Sequence, residues 1–382
     1  MRPTRSFLAI ALAGTLALGA TACGSSDDDT ADATGTAGST SAAAAGAGAP
    51  AGGDLSGSIA GAGASSQAAA QEAWTAGFQQ ANEGATISYD PVGSGGGREQ
   101  FVSGGVAFAG SDAALADEEL TAAQDRCGGV DNVVEVPVYV SPIAVIYNLP
   151  GVETLQLSPA TVAQIFAQKI TKWNDPAIAA DNPGVDLPDT AITPVNRSDE
   201  SGTTENFTDW LSQAASADWT YEVSGDWPVK GGEAAEGTSG VVDAVKNGEG
   251  TIGYADASQA GELGKASIKI GGAAVEPSAE AAAEVFSEST REAGSGANVF
   301  AYTINRKPTA AGVYPVVLVS YEIACTQYDD ANKAALVKGY LSYMVSPEGQ
   351  QAAQSNAGSA PLSQEVTDLI TPAVESIGAG AS

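Results

Sequence analysis

Residues 192–207 read ITPVNRSDESGTTENF. ITPVNR (192–197) reads as a strand, and the residues after it read as the start of a helix. Ser201 or Thr203 would cap that helix, Glu205 would lie in its first turn, and Phe207, Trp210 and Leu211 would face a core. One cap needs only one hydroxyl, so the segment holds more polar groups than a helix start requires. Surplus hydroxyls, Gly202 and the adjacent Arg197 are what an anion site would use. At a helix N-terminus, free backbone N–H groups and the positive end of the helix dipole already face such a ligand.

Working outward, the chain alternates short strands with helices. LSGSIAG (55–61) reads as a strand entering a glycine turn, followed by a helix through Ala70, Trp74 and Phe78. ATISYDPV (85–92) is a strand, and GSGGG (93–97) opens a short helix. GVAFAGSD (105–112) is a strand ending on Ser111 and Asp112, and VVEVPVYVSPIAVIYNLP (133–150) is a long extended run broken at Pro142. SPATVAQIF (158–166) begins a helix with Ser158 as cap and Pro159 in first position. GTIGYAD (250–256) and VYPVVLVSYEIA (313–324) read as further strands. A helix from Asp330 to Met344 and a short one near Val366 follow. This alternation predicts α/β layers with largely parallel sheets. In such sheets ligands sit where strands end and helices begin. GAGASS (61–66), GSGGG, GSD (110–112) and RSDESGTT (197–204) all lie at such ends. None matches a complete dinucleotide or P-loop fingerprint, and each alone reads as a tight turn.

The first 22 residues read as a secretory leader, with Arg2 and Arg5 ahead of an apolar run from Phe7 to Ala20. The segment ATAC (20–23) resembles a bacterial lipobox, in which Cys23 becomes the acylated N-terminus. Residues 24–53 hold no large apolar side chain and read as a flexible tether. The remainder is longer than one core usually supports, which predicts two lobes. The formal charge of −30 becomes −32 once Arg2 and Arg5 are removed. No basic stripe exists to neutralise phosphates, so a nucleic-acid partner is not expected. A small anion is still admissible, because local donors decide a buried site. Of three cysteines, one is assigned to lipid and two are left to pair. The absence of histidine excludes a Ser-His-Asp triad, a Cys-His pair and the usual His/Cys zinc site.

Were the four turns to converge, Ser65, Ser94, Ser201 and Thr203 would supply neutral donors, and the backbone N–H groups of Ser66 and Gly202 would add more. Arg197 would supply a forked cation suited to an oxyanion. Asp112 discriminates among ligands. A carboxylate repels an anion unless the anion has a proton to donate to it, as monohydrogen phosphate has and sulfate has not. Asp199 could hold the Arg197 guanidinium in place, or serve as a capping or exposed loop carboxylate.

GAGASS, GSGGG, GSDAAL (110–115), ITKWNDPAI (170–178), NRSDESGTT (196–204) and GTIGYAD, in this order, resemble the phosphate-binding proteins of bacterial high-affinity phosphate ABC transporters. The resemblance runs from about Ser58 to Pro361. It implies a two-lobed periplasmic-binding-protein fold, each lobe a mixed sheet flanked by helices, joined by two crossing strands near Val140–Ser141 and Val313–Val316. Lobe one would comprise 54–140 and 311–375, and lobe two 141–310. The implied phosphate ligands are Ser65, Ser66, Ser94, Asp112 as proton acceptor, Arg197, Ser201, Gly202 and Thr203. Cys127 and Cys325 both fall in lobe one and are expected to form a disulfide. One departure is Ser66-Gln67, where the family often carries an aromatic residue and a proline.

The expected protein is a monomeric, lipid-anchored receptor at the outer face of the cell membrane. It would close about inorganic phosphate and deliver it to the permease and ATPase subunits of an importer, without enzymatic activity, cofactor or metal. The competing readings are a receptor for sulfate or molybdate, which Asp112 disfavours, an exported phosphatase, and an adhesin or signalling protein on the same fold.

Overall fold

The computed structural model describes residues 55–293, 296–310 and 312–380. The leader, Cys23 and the tether lie outside them. The chain lays down β1 (Ser56–Gly63), α1 (Ala68–Ala81), β2 (Gly84–Asp90), α2 (Ser94–Val102), β3 (Phe108–Ser111), α3 (Asp117–Cys127) and β4 (Val133–Asn148). Next come β5 (Gln156–Leu157), α4 (Pro159–Phe166), α5 (Pro176–Asp181), β6 (Thr193–Arg197), α6 (Gly202–Ala214), β7 (Glu233–Ala235), α7 (Gly237–Asn247) and β8 (Thr251–Asp256). β9 (Gly264–Ile270), β10 (Ala273–Val275), α8 (Ala279–Ser287), β11 (Thr290–Arg291) and β12 (Tyr302–Thr303) lead to β13 (Val317–Cys325). The described chain closes with β14 (Gln327–Tyr328), α9 (Ala331–Val345), α10 (Pro347–Ala357), α11 (Gln364–Glu375) and β15 (Gly378–Ala379).

One curled sheet runs in the order β2-β1-β3-β13-β4-β8-β6-β7, with β9 paired to β4 and joining β5 and β10. It is mixed rather than largely parallel. β1 runs parallel to β2 and β3, and β6 to β7 and β8, as strand–helix alternation requires. The β13 strand is antiparallel to both β3 and β4, and β4 is antiparallel to β8. These last pairings join residues far apart in sequence, and local pattern carries no information about their direction.

The run at 133–150 is not broken at Pro142. β4 passes through it as one buried strand and changes partners there: Pro142 pairs with Val317 of β13, and Ile143 with Asp256 of β8. A proline that ends one ladder just as the next begins costs little, because its missing N–H falls at the exchange. β13 begins at Val317, four residues into the segment read as strand, and β3 covers only Phe108–Ser111. The helix near Val366 is longer than expected, and α10 precedes it unforeseen.

Helices cover both halves of the sheet. In one half Trp74, Phe78, Phe108 and Tyr340 pack together, and in the other Phe166, Phe207, Trp227 and Tyr254 do so. The expected disulfide is present: Cys127 and Cys325 are bonded with Cα atoms 5.3 Å apart, 198 residues apart in sequence.

Candidate functional site

Three turns at the ends of β1, β2 and β3 meet the turn between β6 and α6. Gly63 has φ +150°, and a Cβ there would stand 1.9 Å from the Gly110 carbonyl oxygen, so only glycine lets β1 and β3 end side by side. Gly93, with φ +95°, turns the chain into α2, whose first residue is Ser94. Ser201 caps α6, its Oγ accepting from the Thr204 N–H at 3.2 Å, while Phe207, Trp210 and Leu211 are buried as their spacing predicts. Gly202 is where the turn before α6 meets the other turns. A Cβ on it would lie 2.7 Å from Ser94 Oγ and 2.8 Å from Asp112 Cβ.

Asp112 is the centre of the arrangement. Its Oδ2 accepts from Ser66 Oγ at 2.6 Å and Thr203 Oγ1 at 3.0 Å, and its Oδ1 accepts from Ser320 Oγ at 2.8 Å. Its N–H donates to Ser94 Oγ at 3.1 Å, and its carbonyl accepts from Asn206 Nδ2 at 2.7 Å. Burial pushes the Asp112 carboxyl up, against the hydrogen bonds from Ser66, Ser320 and Thr203 and the nearby charge of Arg197.

Arg197 is buried and clamped by Asp199, with Nε donating to Oδ1 at 2.8 Å and Nη2 to Oδ2. Asp199 Oδ1 also accepts from the Gly237 N–H at 3.0 Å. Burial works against the Asp199 carboxylate, yet Arg197 and Gly237 outweigh it and hold its pKa below the usual range. Asp199 therefore does both things foreseen for it, clamping Arg197 and accepting from the first N–H of a helix, α7. Ser65 Oγ accepts from the Thr238 N–H at 2.9 Å, across from the first turn of α7.

The sequence-predicted residues therefore fall into two groups. Ser66, Ser94, Asp112, Gly202 and Thr203 touch one another, while Ser65, Arg197 and Ser201 lie in the surrounding turns, engaged with Thr238, Asp199 and Thr204. Sequence reasoning missed Ser320, Thr238 and Asn206. Ser320 had a signal, a serine two residues from Glu322 in an otherwise mostly apolar strand. A cavity of about 580 Å³ opens beside Asp112 and is lined by Asp117, Glu205 and Asp209 as well as Arg306. Its acidic wall offers no long-range attraction for an anion, so recognition must rest on close donors.

Residues 34–348 match the family model of a PBP superfamily domain. The chain is 36% identical over 305 residues to phosphate-binding protein PstS 3 of Mycobacterium leprae (strain TN), covering 78% of this chain and 81% of that protein. The chain belongs to the PstS family. A second PstS relative, phosphate-binding protein PstS 2 of Mycobacterium tuberculosis (strain ATCC 25618 / H37Rv), is 33% identical over 318 residues, or 80% of this chain and 83% of that protein. Among solved structures, a high-affinity periplasmic phosphate-binding protein (PfluDING) with phosphate bound superposes with a TM-score of 0.67. That match covers 83% of this chain and 93% of the other at 22% identity, and it shows the two-lobed fold. These PstS relatives are named as binding proteins, not enzymes.

Proposed function

We propose that this PstS-family chain is an extracytoplasmic receptor that closes about inorganic phosphate and passes it to an ABC importer. The observation that carries the reading is the position of Asp112. A buried carboxylate between hydroxyls of β1–α1 and α6 accepts from Ser66 at 2.6 Å and Thr203 at 3.0 Å, and would accept the proton of a hydrogen phosphate in the same way. The ligand set is Ser65, Ser66, Ser94, Asp112, Arg197, Ser201, Gly202 and Thr203. The hydroxyls and free N–H groups serve as donors, and Arg197 supplies the counter-charge under the Asp199 clamp. The lobes are 54–140 with 311–375 and 141–310, hinged where β4 changes partners. Cys23 carries the lipid anchor, and the protein acts as a monomer with the permease and ATPase subunits of the importer. Cys23→Ala should release it from membranes, as fractionation would show.

Calorimetric titration of phosphate-stripped protein with phosphate, arsenate and sulfate tests the binding reading. Phosphate and arsenate should bind and compete, and sulfate should be rejected because it brings no proton to Asp112. Asp112→Asn replaces the acceptor by a possible donor and should lower the phosphate-to-sulfate affinity ratio at least tenfold, about 1.4 kcal/mol. A ratio unchanged by that substitution would remove Asp112 from the site, and turnover of a phosphoester would replace the receptor by an enzyme.

A further inference from the structure

The Ser66-Gln67 departure leads into a buried chain of hydrogen bonds with a fixed direction. Gln67 Nε2 donates to Ser320 Oγ at 2.8 Å and to the Tyr321 carbonyl at 3.1 Å, which spends both of its N–H bonds. Gln67 Oε1 accepts from Gln71 Nε2 at 2.9 Å. Gln71 in turn donates to Glu322 Oε1 at 2.7 Å and accepts from the Tyr340 hydroxyl at 2.9 Å. The Gln67 amide cannot be reversed without setting its oxygen against the Tyr321 carbonyl. With Gln67 donating to Ser320 Oγ, the serine proton is directed at Asp112 Oδ1, 2.8 Å away. Gln67, Gln71, Ser320 and Glu322 are all buried.

We propose that Gln67 is a positioning residue for oxyanion selectivity: by fixing the Ser320 hydroxyl as a donor, it keeps Asp112 an acceptor. The inference rests on the phosphate-receptor reading and adds to it the residue that sets the protonation state on which selectivity depends. Three hydroxyls donate to the Asp112 carboxylate, an arrangement that favours the ionised form against the cost of burial. Without Gln67, the Ser320 hydroxyl can turn and accept from a protonated Asp112. Asp112 would then become a donor at a higher pH, and a donor welcomes sulfate. The other titratable groups that face Asp112 are Arg197 from β6, Asp256 at the end of β8, Tyr139 from β4 and Tyr89 from β2. Glu322 is joined to it through Gln71, Gln67 and Ser320. None of these groups is itself substituted when Gln67 or Ser320 is changed.

The test is calorimetric titration of the stripped protein with phosphate and with sulfate from pH 5 to 9. It compares wild type, Gln67→Leu, Ser320→Ala, the double variant and Gln71→Met. In Gln67→Leu, the pH below which sulfate begins to bind should rise by about one unit, so that just above the wild-type onset the phosphate-to-sulfate ratio falls about tenfold. Ser320→Ala should do the same, and the double variant should fall no further than about twofold beyond either single change, because both act through one hydrogen bond. Gln71→Met leaves Gln67 in place but frees its amide to turn, and should shift the onset in the same direction by less. It decides the matter should Gln67→Leu fail to fold. An unmoved sulfate onset in the variants that fold, or effects of Gln67→Leu and Ser320→Ala that multiply, would overturn the inference alone. Failure of the wild type to bind phosphate would overturn the receptor reading and this inference with it.

Discussion

The helix starts of this molecule fall into two kinds. Away from the cleft they are closed by their own side chains: Ser158, Asp175, Ser278, Asp330, Ser346 and Ser363 each accept from a backbone N–H in the first turn of α4, α5, α8, α9, α10 and α11. At the cleft, the turn before α1 and the starts of α2, α3 and α7 have no such cap. At α7 the need is met from elsewhere in the fold. The first two N–H groups of α7 go to Asp199 and to Ser65, and the Leu115 N–H ahead of α3 goes to Glu135 of β4 at 2.7 Å. α6 stands between the two kinds, capped by Ser201 but with Gly202 pressed against Ser94 and Asp112. A helix that caps itself is finished as a local structure. A helix without its own cap has given up about 1 kcal/mol of local stability, and its start is held by contacts that exist only in the assembled fold.

The contrast breaks first at α3. Burial pushes the Glu135 carboxyl up to about 8, so the folded protein keeps a proton that the unfolded chain releases near pH 4.5. Stability from this group is therefore fully present below about pH 4.5 and lost as pH rises through 8. Between pH 5 and pH 8 the wild type should lose roughly 3 to 4 kcal/mol through it, at 1.36 kcal/mol per unit. Glu135→Gln keeps an oxygen for Leu115 and should flatten that slope. Urea unfolding at the two pH values measures it, and equal slopes in both proteins would show that Glu135 does not carry a proton in the fold.

A sharper division comes from pairing one start of each kind. Gly202→Ala puts a methyl where Ser94 Oγ and Asp112 Cβ leave no room, so the turn must withdraw from the site. Phosphate affinity should fall more than a hundredfold, roughly 3 kcal/mol, with little change in the unfolding midpoint. Ser158→Ala removes a self-made cap far from the cleft and should do the reverse, costing about 1 kcal/mol of stability and leaving phosphate affinity unchanged. Should both variants lose stability and keep affinity, the two kinds of helix start would be one.

Legibility does not follow capping: the self-capped α5, α8 and α10 were not read from the sequence, while the uncapped α1 and α2 were. Ser158-Pro159 and Asp330 announce their helices within three residues, and the strands before Arg197 and Asp112 were readable from their pattern. The residues that converge on Asp112 could be named because each lies at the end of such a strand. Contacts made across the sheet were not readable. Ser320 reaches Asp112 only because β13 is inserted antiparallel beside β3, a pairing with no local signature. The role of Gln67 depends on that same insertion. Helix α10 escaped notice because its sequence, PEGQQAAQSNA, carries no large apolar residue, and it packs through Gly349, Ala353 and Ala357 instead.

The place of β13 also governs the order in which the protein can be completed. The strand lies between β3 and β4, yet it is synthesised after every strand of the other half of the sheet. As the chain emerges from its N-terminus, β4 can already pair with β8, and β6 and β7 can add to it. The facing edges of β3 and β4 must wait, open to mispairing, until residues 317–325 arrive. The inserted lobe can thus mature first, and the lobe that begins the chain is the last to finish. Because Cys325 is the final residue of β13, its bond to Cys127 can close in register only at that moment. The disulfide is thus a clasp on the last-placed strand, tying the end of β13 to the end of α3 and holding the inserted strand in the sheet it completes.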